Sequence, residues 1–249
     1  MGTDTSKTAL TTIGGPVHAC WSCGEMRAAH FCTSCGKVQP PQPADYFSFF
    51  GLPRKLALNE AALQRSFYEL SRELHPDVYA RASGQEQEWS TEKTSQLNDA
   101  YRTLKDPIRR TEYLLKLEGV QLEEQSKAAT EAARVSGAVK KQAVPPELLE
   151  EVFELNMQLE EMRMSKQMGE RDADLAQEVE KQKQSLEQKL EDLSGELKSY
   201  WKEWDELDDR DSASKERKAI RDKMVDLLNR RNYIRNLVRD AGEVLESSN

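Results

Sequence analysis

Apolar residues return every three or four positions over long stretches of this chain, which is the spacing of one helical face. Leu63, Phe67, Leu70 and Leu74 form such a row behind Asn59, a residue type that caps helix starts. A second row, Leu97, Ala100, Tyr101 and Leu104, belongs to a helix opened by Gly84. Asp106-Pro107 ends that helix and begins another, which carries Ile108, Thr111, Tyr113, Leu114 and Leu117 and closes at Gly119. Asp45 caps a short helix ending near Gly51. Between the two long rows stands His75-Pro76-Asp77. Proline removes a backbone donor and disfavours helix in the residue before it. The tripeptide therefore falls in a loop, with an imidazole and a carboxylate on either side of a stiff residue.

Residues 147–247 keep helical periodicity almost throughout. Leu175, Val179, Leu186, Leu190, Leu193, Leu197, Trp201 and Trp204 make a coiled-coil-like seam, with both tryptophans expected in the core. Breaks near Met168–Asp172 and Asp208–Ser214 divide the region into three helices, and the short connections predict antiparallel neighbours in a three-helix bundle. The first of these helices carries more apolar positions than one buried stripe needs: Leu148, Leu149, Val152, Phe153, Leu155, Met157, Leu159, Met162 and Met164. Such a surplus is available to a partner, and methionine suits adaptable contact surfaces.

Composition divides the 249 residues into segments. Residues 1–19 read as a disordered N-terminus. Residues 20–43 hold the cysteines and a semi-rigid spacer, Pro40-Pro41-Gln42-Pro43. Residues 44–119 form a compact helical domain, 120–146 a mobile linker with partial helix, and 147–249 the C-terminal bundle. The fold class is all-α. A formal charge of -8 argues against nucleic acid as the main partner, because phosphate binding needs clustered cations. No apolar run approaches the roughly 20 residues of a membrane span. Met1–Val17 shows neither a secretory core nor an Arg-rich presequence pattern.

All four cysteines lie within sixteen positions, as Cys20-Trp-Ser-Cys23-Gly and Cys32-Thr-Ser-Cys35-Gly. Each turn points two thiolates at one ion, and the glycine permits the tight turn. Four soft ligands suit one zinc ion in a closed, structural site. An iron–sulfur cluster or a redox dithiol is the minor alternative. His18 and His30 read as exposed bystanders, because four sulfurs fill the shell. Neither a Gly-rich phosphate loop ending in Gly-Lys-Ser/Thr nor a Gly-x-Ser-x-Gly elbow is present, so no enzyme is expected.

Asp45-Tyr-Phe-Ser-Phe-Phe-Gly-Leu-Pro, then Leu70-Ser-Arg-Glu-Leu-His-Pro-Asp77, then Leu97-Asn-Asp-Ala-Tyr-Arg-Thr-Leu-Lys-Asp-Pro107 together resemble a J-domain. Thr103-Leu-Lys-Asp-Pro followed by Arg110-Thr-Glu-Tyr-Leu-Leu115 resembles the HscB branch, co-chaperones of iron–sulfur cluster assembly, and the glycine/phenylalanine-rich segment of general DnaJ proteins is missing. Eukaryotic members carry a tetracysteine segment before the J-domain, as this chain does.

The resemblance implies that His75, Pro76 and Asp77 engage a DnaK-type seventy-kilodalton heat-shock chaperone and stimulate its ATPase, with Arg65 and Arg72 as cationic support. It implies a binding patch for the iron–sulfur cluster scaffold protein on an oligomerisation-type bundle domain, at Leu149, Phe153, Glu154 and Tyr233. Glu150 and Met157 depart from the family pattern there. Spacing alone favours the bundle core for Leu149 and Phe153, and the resemblance sets the contact surface beside it as an equal alternative. The resemblance also implies the mitochondrial matrix, with the cytoplasm as the other compartment. Other functional classes consistent with the residues are a zinc-dependent thiol redox or metal-handling protein, and a general J-protein for unfolded clients.

Overall fold

The computed structural model describes residues 19–26, 30–32, 34–120, 146–169, 172–207 and 214–247. Most of the expected disordered N-terminus and of the linker, together with His18, lie outside the described residues. Among the described residues every regular element is a helix, apart from two isolated bridges in the cysteine segment, Ala19 with Met26 and Phe31 with Val38. The chain forms two compact units that divide at Leu114/Leu115.

The first unit contains α1 (Tyr46–Phe49), α2 (Glu60–Leu74) and α3 (Gly84–Lys105), and it ends within α4 (Pro107–Leu117). Each helix starts where the sequence offers a cap. Asp45 accepts from the backbone of Phe47 and Ser48, and Asn59 from that of Ala62. Ser83 and Glu86 form a reciprocal capping box at the start of α3. Asp106 Oδ1 accepts from the N–H groups of Ile108 and Arg109, both at 2.9 Å, with Pro107 in the first helical position. α2 ends because Pro76 forces His75 out of helix, to φ -58°, ψ 131°.

α2 packs along α3. Leu63, Leu74, Leu97, Ala100 and Leu104 are buried, and Phe67 stacks on Tyr101 with centroids 4.0 Å apart. α1 closes one end of the unit through Phe47 and Phe49, and Tyr46 stacks on Tyr113 at 4.4 Å.

The second unit holds the three expected bundle helices: α5 (Leu149–Met168), α6 (Ala173–Glu206) and α7 (Lys215–Ser247). α5 ends in a left-handed turn at Gly169 and α6 begins under an Asp172 cap. Polar pairs show that neighbours run antiparallel. Glu151 on α5 meets Lys189 on α6, whereas Gln158, further along α5, meets Glu178, further back on α6. Similarly, Arg217 near the start of α7 lies over Trp204 near the end of α6. The seam residues Leu175, Val179, Leu186, Leu193, Leu197, Trp201 and Trp204 are buried as their spacing requires. Arg217 is buried with them. Its guanidinium sits 4.0 Å from the Trp204 ring centroid and donates to Glu118 at 3.1 Å.

Candidate functional site

Three sets of residues carry chemistry. The first is the loop after α2. Pro76–Tyr79 form a single turn of 3-10 helix. His75 Nδ1 accepts the Asp77 N–H at 3.2 Å, which leaves the imidazole proton on Nε2. Both side chains face solvent, His75 54 % and Asp77 90 % exposed. The mount beneath them is fixed. Leu74 is buried, and its carbonyl, orphaned at the helix end, accepts from Ser90 Oγ at 2.7 Å and Thr94 Oγ1 at 3.0 Å. Gln87 holds the far side of the loop through the carbonyls of Ala80 and Ala82. Ser90 and Thr94 were not singled out in the sequence, although two hydroxyls four apart on α3 were the available signal. Arg65 and Arg72 are exposed on α2, seven residues apart and so on one face.

The second set is the cysteines. The two turns are copies of one another: Gly24 N–H donates to Cys20 O and Gly36 N–H to Cys32 O, each at 2.9 Å. Gly24 and Gly36 take φ of 75° and 71°, the left-handed region the sequence reserved for glycine. The four Sγ atoms lie within 4.8 Å of one another. Cys20 and Cys35 approach to 3.7 Å, and Cys23 and Cys32 to 3.6 Å. Those separations are far beyond a disulfide bond of about 2.05 Å. They match the ~3.8 Å edge of a tetrahedron whose metal–sulfur bonds are about 2.3 Å. The donor set thus fits one soft metal ion.

Crowding separates the thiol titrations. Burial opposes ionisation of Cys20, but the N–H groups of Cys23 and Ser22, the Gln39 amide and the Cys35 thiol outweigh it and bring its pKa to about 6. Cys23 receives the Glu25 N–H. Even so, burial and the facing Cys32, Cys35 and Cys20 sulfurs push it up to about 12. A cation at the centre would relieve that opposition.

His30 corrects the sequence reading. It is not an exposed bystander but a half-buried strut: Nε2–H donates to Phe49 O at 2.9 Å, and the ring lies 4.4 Å from that of Phe49. Burial and the nearby Lys93 ammonium bring its pKa down to about 4, so it is neutral at pH 7. Lys93, nearly buried on α3, donates to His30 O at 3.3 Å, and burial lowers its pKa to about 8. Lys37 bridges to Glu86 at 2.8 Å, and Trp21 meets Trp89 edge to face at 5.5 Å. The cysteine segment is therefore seated on α3 and α1, which residue spacing did not reveal because its anchors are single side chains far apart in sequence.

The third set lies on α5. Leu148, just ahead of the helix, and Val152, Leu155, Leu159 and Met162 on it are buried, and Leu149, Phe153, Met157, Met164 and Met168 face solvent, Phe153 at 66 % exposure. This corrects the reading from spacing, which favoured the bundle core: Leu149 and Phe153 are surface. Glu154 is exposed beside them, while Tyr233 on α7 is only 8 % exposed.

Residues 45–113 match the DnaJ domain family. A co-chaperone protein HscB homolog of Cupriavidus taiwanensis is 35 % identical over 124 residues, which cover 49 % of this chain and 70 % of that protein. The chain belongs to the HscB co-chaperone family. The mouse iron-sulfur cluster co-chaperone protein HscB is 39 % identical over 111 residues, 42 % of this chain. The chain spans about half the length of its mouse, Arabidopsis thaliana and human HscB relatives, at 47 %, 42 % and 53 %. The crystal structure of human HscB superposes with a TM-score of 0.62 at 22 % identity, covering 90 % of this chain and 97 % of that one, which shows a shared fold. No described helix is long and apolar enough to cross a membrane.

Proposed function

We propose that this chain is a co-chaperone that engages a DnaK-type seventy-kilodalton heat-shock chaperone through His75, Pro76 and Asp77, stimulates its ATPase, and delivers to it an iron–sulfur cluster scaffold protein. The observation that carries this reading is the exposed His75-Pro76-Asp77 turn on a mount clamped by Ser90 and Thr94. A rigid mount limits the ordering entropy lost on binding, which is what a recognition loop requires. Arg65 and Arg72 add positive charge on α2 for an acidic surface of the chaperone.

Residues 44–119 act as the J-domain and 147–249 as the scaffold-binding domain. Leu149, Phe153 and Glu154 form the scaffold patch, with Tyr233 contributing its small exposed edge. The names of the mouse and human relatives, iron-sulfur cluster co-chaperones, support this cargo. The ion held by Cys20, Cys23, Cys32 and Cys35 is zinc in a structural role, because four thiolates leave no open position for water. The animal and plant relatives favour the mitochondrial matrix. The chain itself hydrolyses no ATP.

The test combines a scaffold pull-down with chaperone ATPase measurement on wild type and His75→Gln. The variant keeps its helicity and its scaffold binding and loses stimulation. Stimulation equal to wild type removes the reading. Native thiol titration separates it from a redox role, since a structural site resists modification.

A further inference from the structure

The five large apolar side chains that α5 shows to solvent share one side of it. At about 100° per residue, Leu149, Phe153, Met157, Met164 and Met168 fall within an arc of about 100°. The three methionines are 58 %, 58 % and 74 % exposed. The buried row, Val152, Leu155, Leu159 and Met162, lies on the opposite side, so bundle packing makes no use of the outer one. From Leu149 to Met168 the stripe is about 28 Å long, at a rise of about 1.5 Å per residue. A contiguous exposed apolar surface of this kind marks a place where another molecule is bound.

The scaffold patch proposed above, at Leu149, Phe153 and Glu154, uses only the first part of this stripe. Met157 continues it, and Met164 and Met168 carry it to the end of the helix. Glu160 and Gln167 fall inside the arc, but Glu160 is turned to its ion-pair partner Arg163 at 2.5 Å. Methionine adapts to an irregular opposing surface. Charge marks one edge. Glu150, Glu154 and Glu161 line it, exposed and in no ion pair with the described residues. Glu147 and Glu151, which lie off this face, are instead paired with Arg230 and Lys189. A partner on the stripe must bring cations to the acidic edge. A second copy of this chain laid antiparallel would set that edge against its own acids, which repel.

We propose that the docking surface for the scaffold protein runs the whole length of α5, with Met157, Met164 and Met168 as contacts in their own right, and that the matching strip on the scaffold is apolar with Lys or Arg along one edge. This rests on the function proposed above. Leu149 and Phe153 anchor the complex, the methionines fit the remainder, and the acids set the direction in which the partner lies.

The experiment uses the full-length chain and the scaffold protein that it pulls down, with affinity read by titration calorimetry. Leu149→Ser with Phe153→Ser tests the underlying reading. No binding by wild type, or binding unchanged in that variant, defeats the reading before any methionine is altered. Given loss there, Met164→Gln with Met168→Gln raises the Kd about tenfold, as removal of two modest contacts does, with helicity and chaperone stimulation unchanged. An unchanged Kd overturns the proposal. Glu150→Lys with Glu161→Lys also raises the Kd, and a Kd unchanged or lowered by that reversal overturns the charge assigned to the partner. Wild type with isotope-labelled methionine methyl groups removes any dependence on the variants. The Met157, Met164 and Met168 signals shift or broaden when scaffold is added, while those of Met26 in the first unit and of the buried Met224 stay in place. Met164 and Met168 signals that do not respond overturn the proposal. So does a response to raising the concentration of the chain alone, which assigns the stripe to a second copy.

Discussion

Gly24 holds φ at 75° with no atom within 4 Å of where a Cβ would stand, so the penalty for a side chain there is purely conformational. Gly24→Ala should cost about 1–2 kcal/mol through the left-handed backbone, read as weaker metal affinity in a chelator competition. Gly84→Ala, in the first turn of α3 and equally unobstructed, should be neutral or stabilising by up to about 1 kcal/mol. Equal losses at the two sites would contradict the backbone argument. Glu86 makes a second residue-scale case. The Lys37 bridge, opposed by burial and helped by the Ser83 hydroxyl and N–H, holds its carboxyl below the usual range. A depressed acid stabilises the fold above its unfolded pKa and stops doing so as pH falls through the lower folded value. The first unit should thus lose stability below the ordinary carboxylate value of 4.5, and Glu86→Gln should flatten that dependence. Urea unfolding between pH 3 and 7 measures it, and identical slopes for both proteins would rule the assignment out.

At the scale of elements, α5 is the informative case because it is apolar on two sides. Its inner row, Val152, Leu155, Leu159 and Met162, is set by the seam it meets on α6 and α7. Its outer row has no counterpart among the described residues. Leu155, 1 % exposed, should cost about 2–5 kcal/mol when truncated to alanine. Phe153→Ser should change bundle stability by no more than about 0.5 kcal/mol, since its ring already stands in water. Denaturant midpoints for the two variants decide the matter, and a large loss at Phe153 would mean that it is core after all. Helix limits were largely legible from sequence, because caps act within one turn: Asp45, Asn59, Ser83 and Asp106 are local chemistry. Which face of α5 turns inward was not, since both faces satisfy the same spacing.

For the whole molecule, the two units give metal removal a directed outcome. Chelation should lower the unfolding temperature of the first unit, whose cysteine segment is seated on α3 by Lys37, His30 and Trp21, and leave the bundle transition in place. Calorimetry with and without chelator tests this, and an equal shift of both transitions would refute it. The sequence by itself determined the helices, the loop between α2 and α3, the four cysteines able to hold a metal ion and the three-helix bundle. Those features follow from spacing, capping and backbone restriction, which act over a few residues. Only the tertiary structure decided that His30 is a strut, that Leu149 and Phe153 lie outside, and that the cysteine segment is seated on α3 and α1. Each of these depends on side chains tens of residues apart meeting in space, and local spacing carries no record of such meetings.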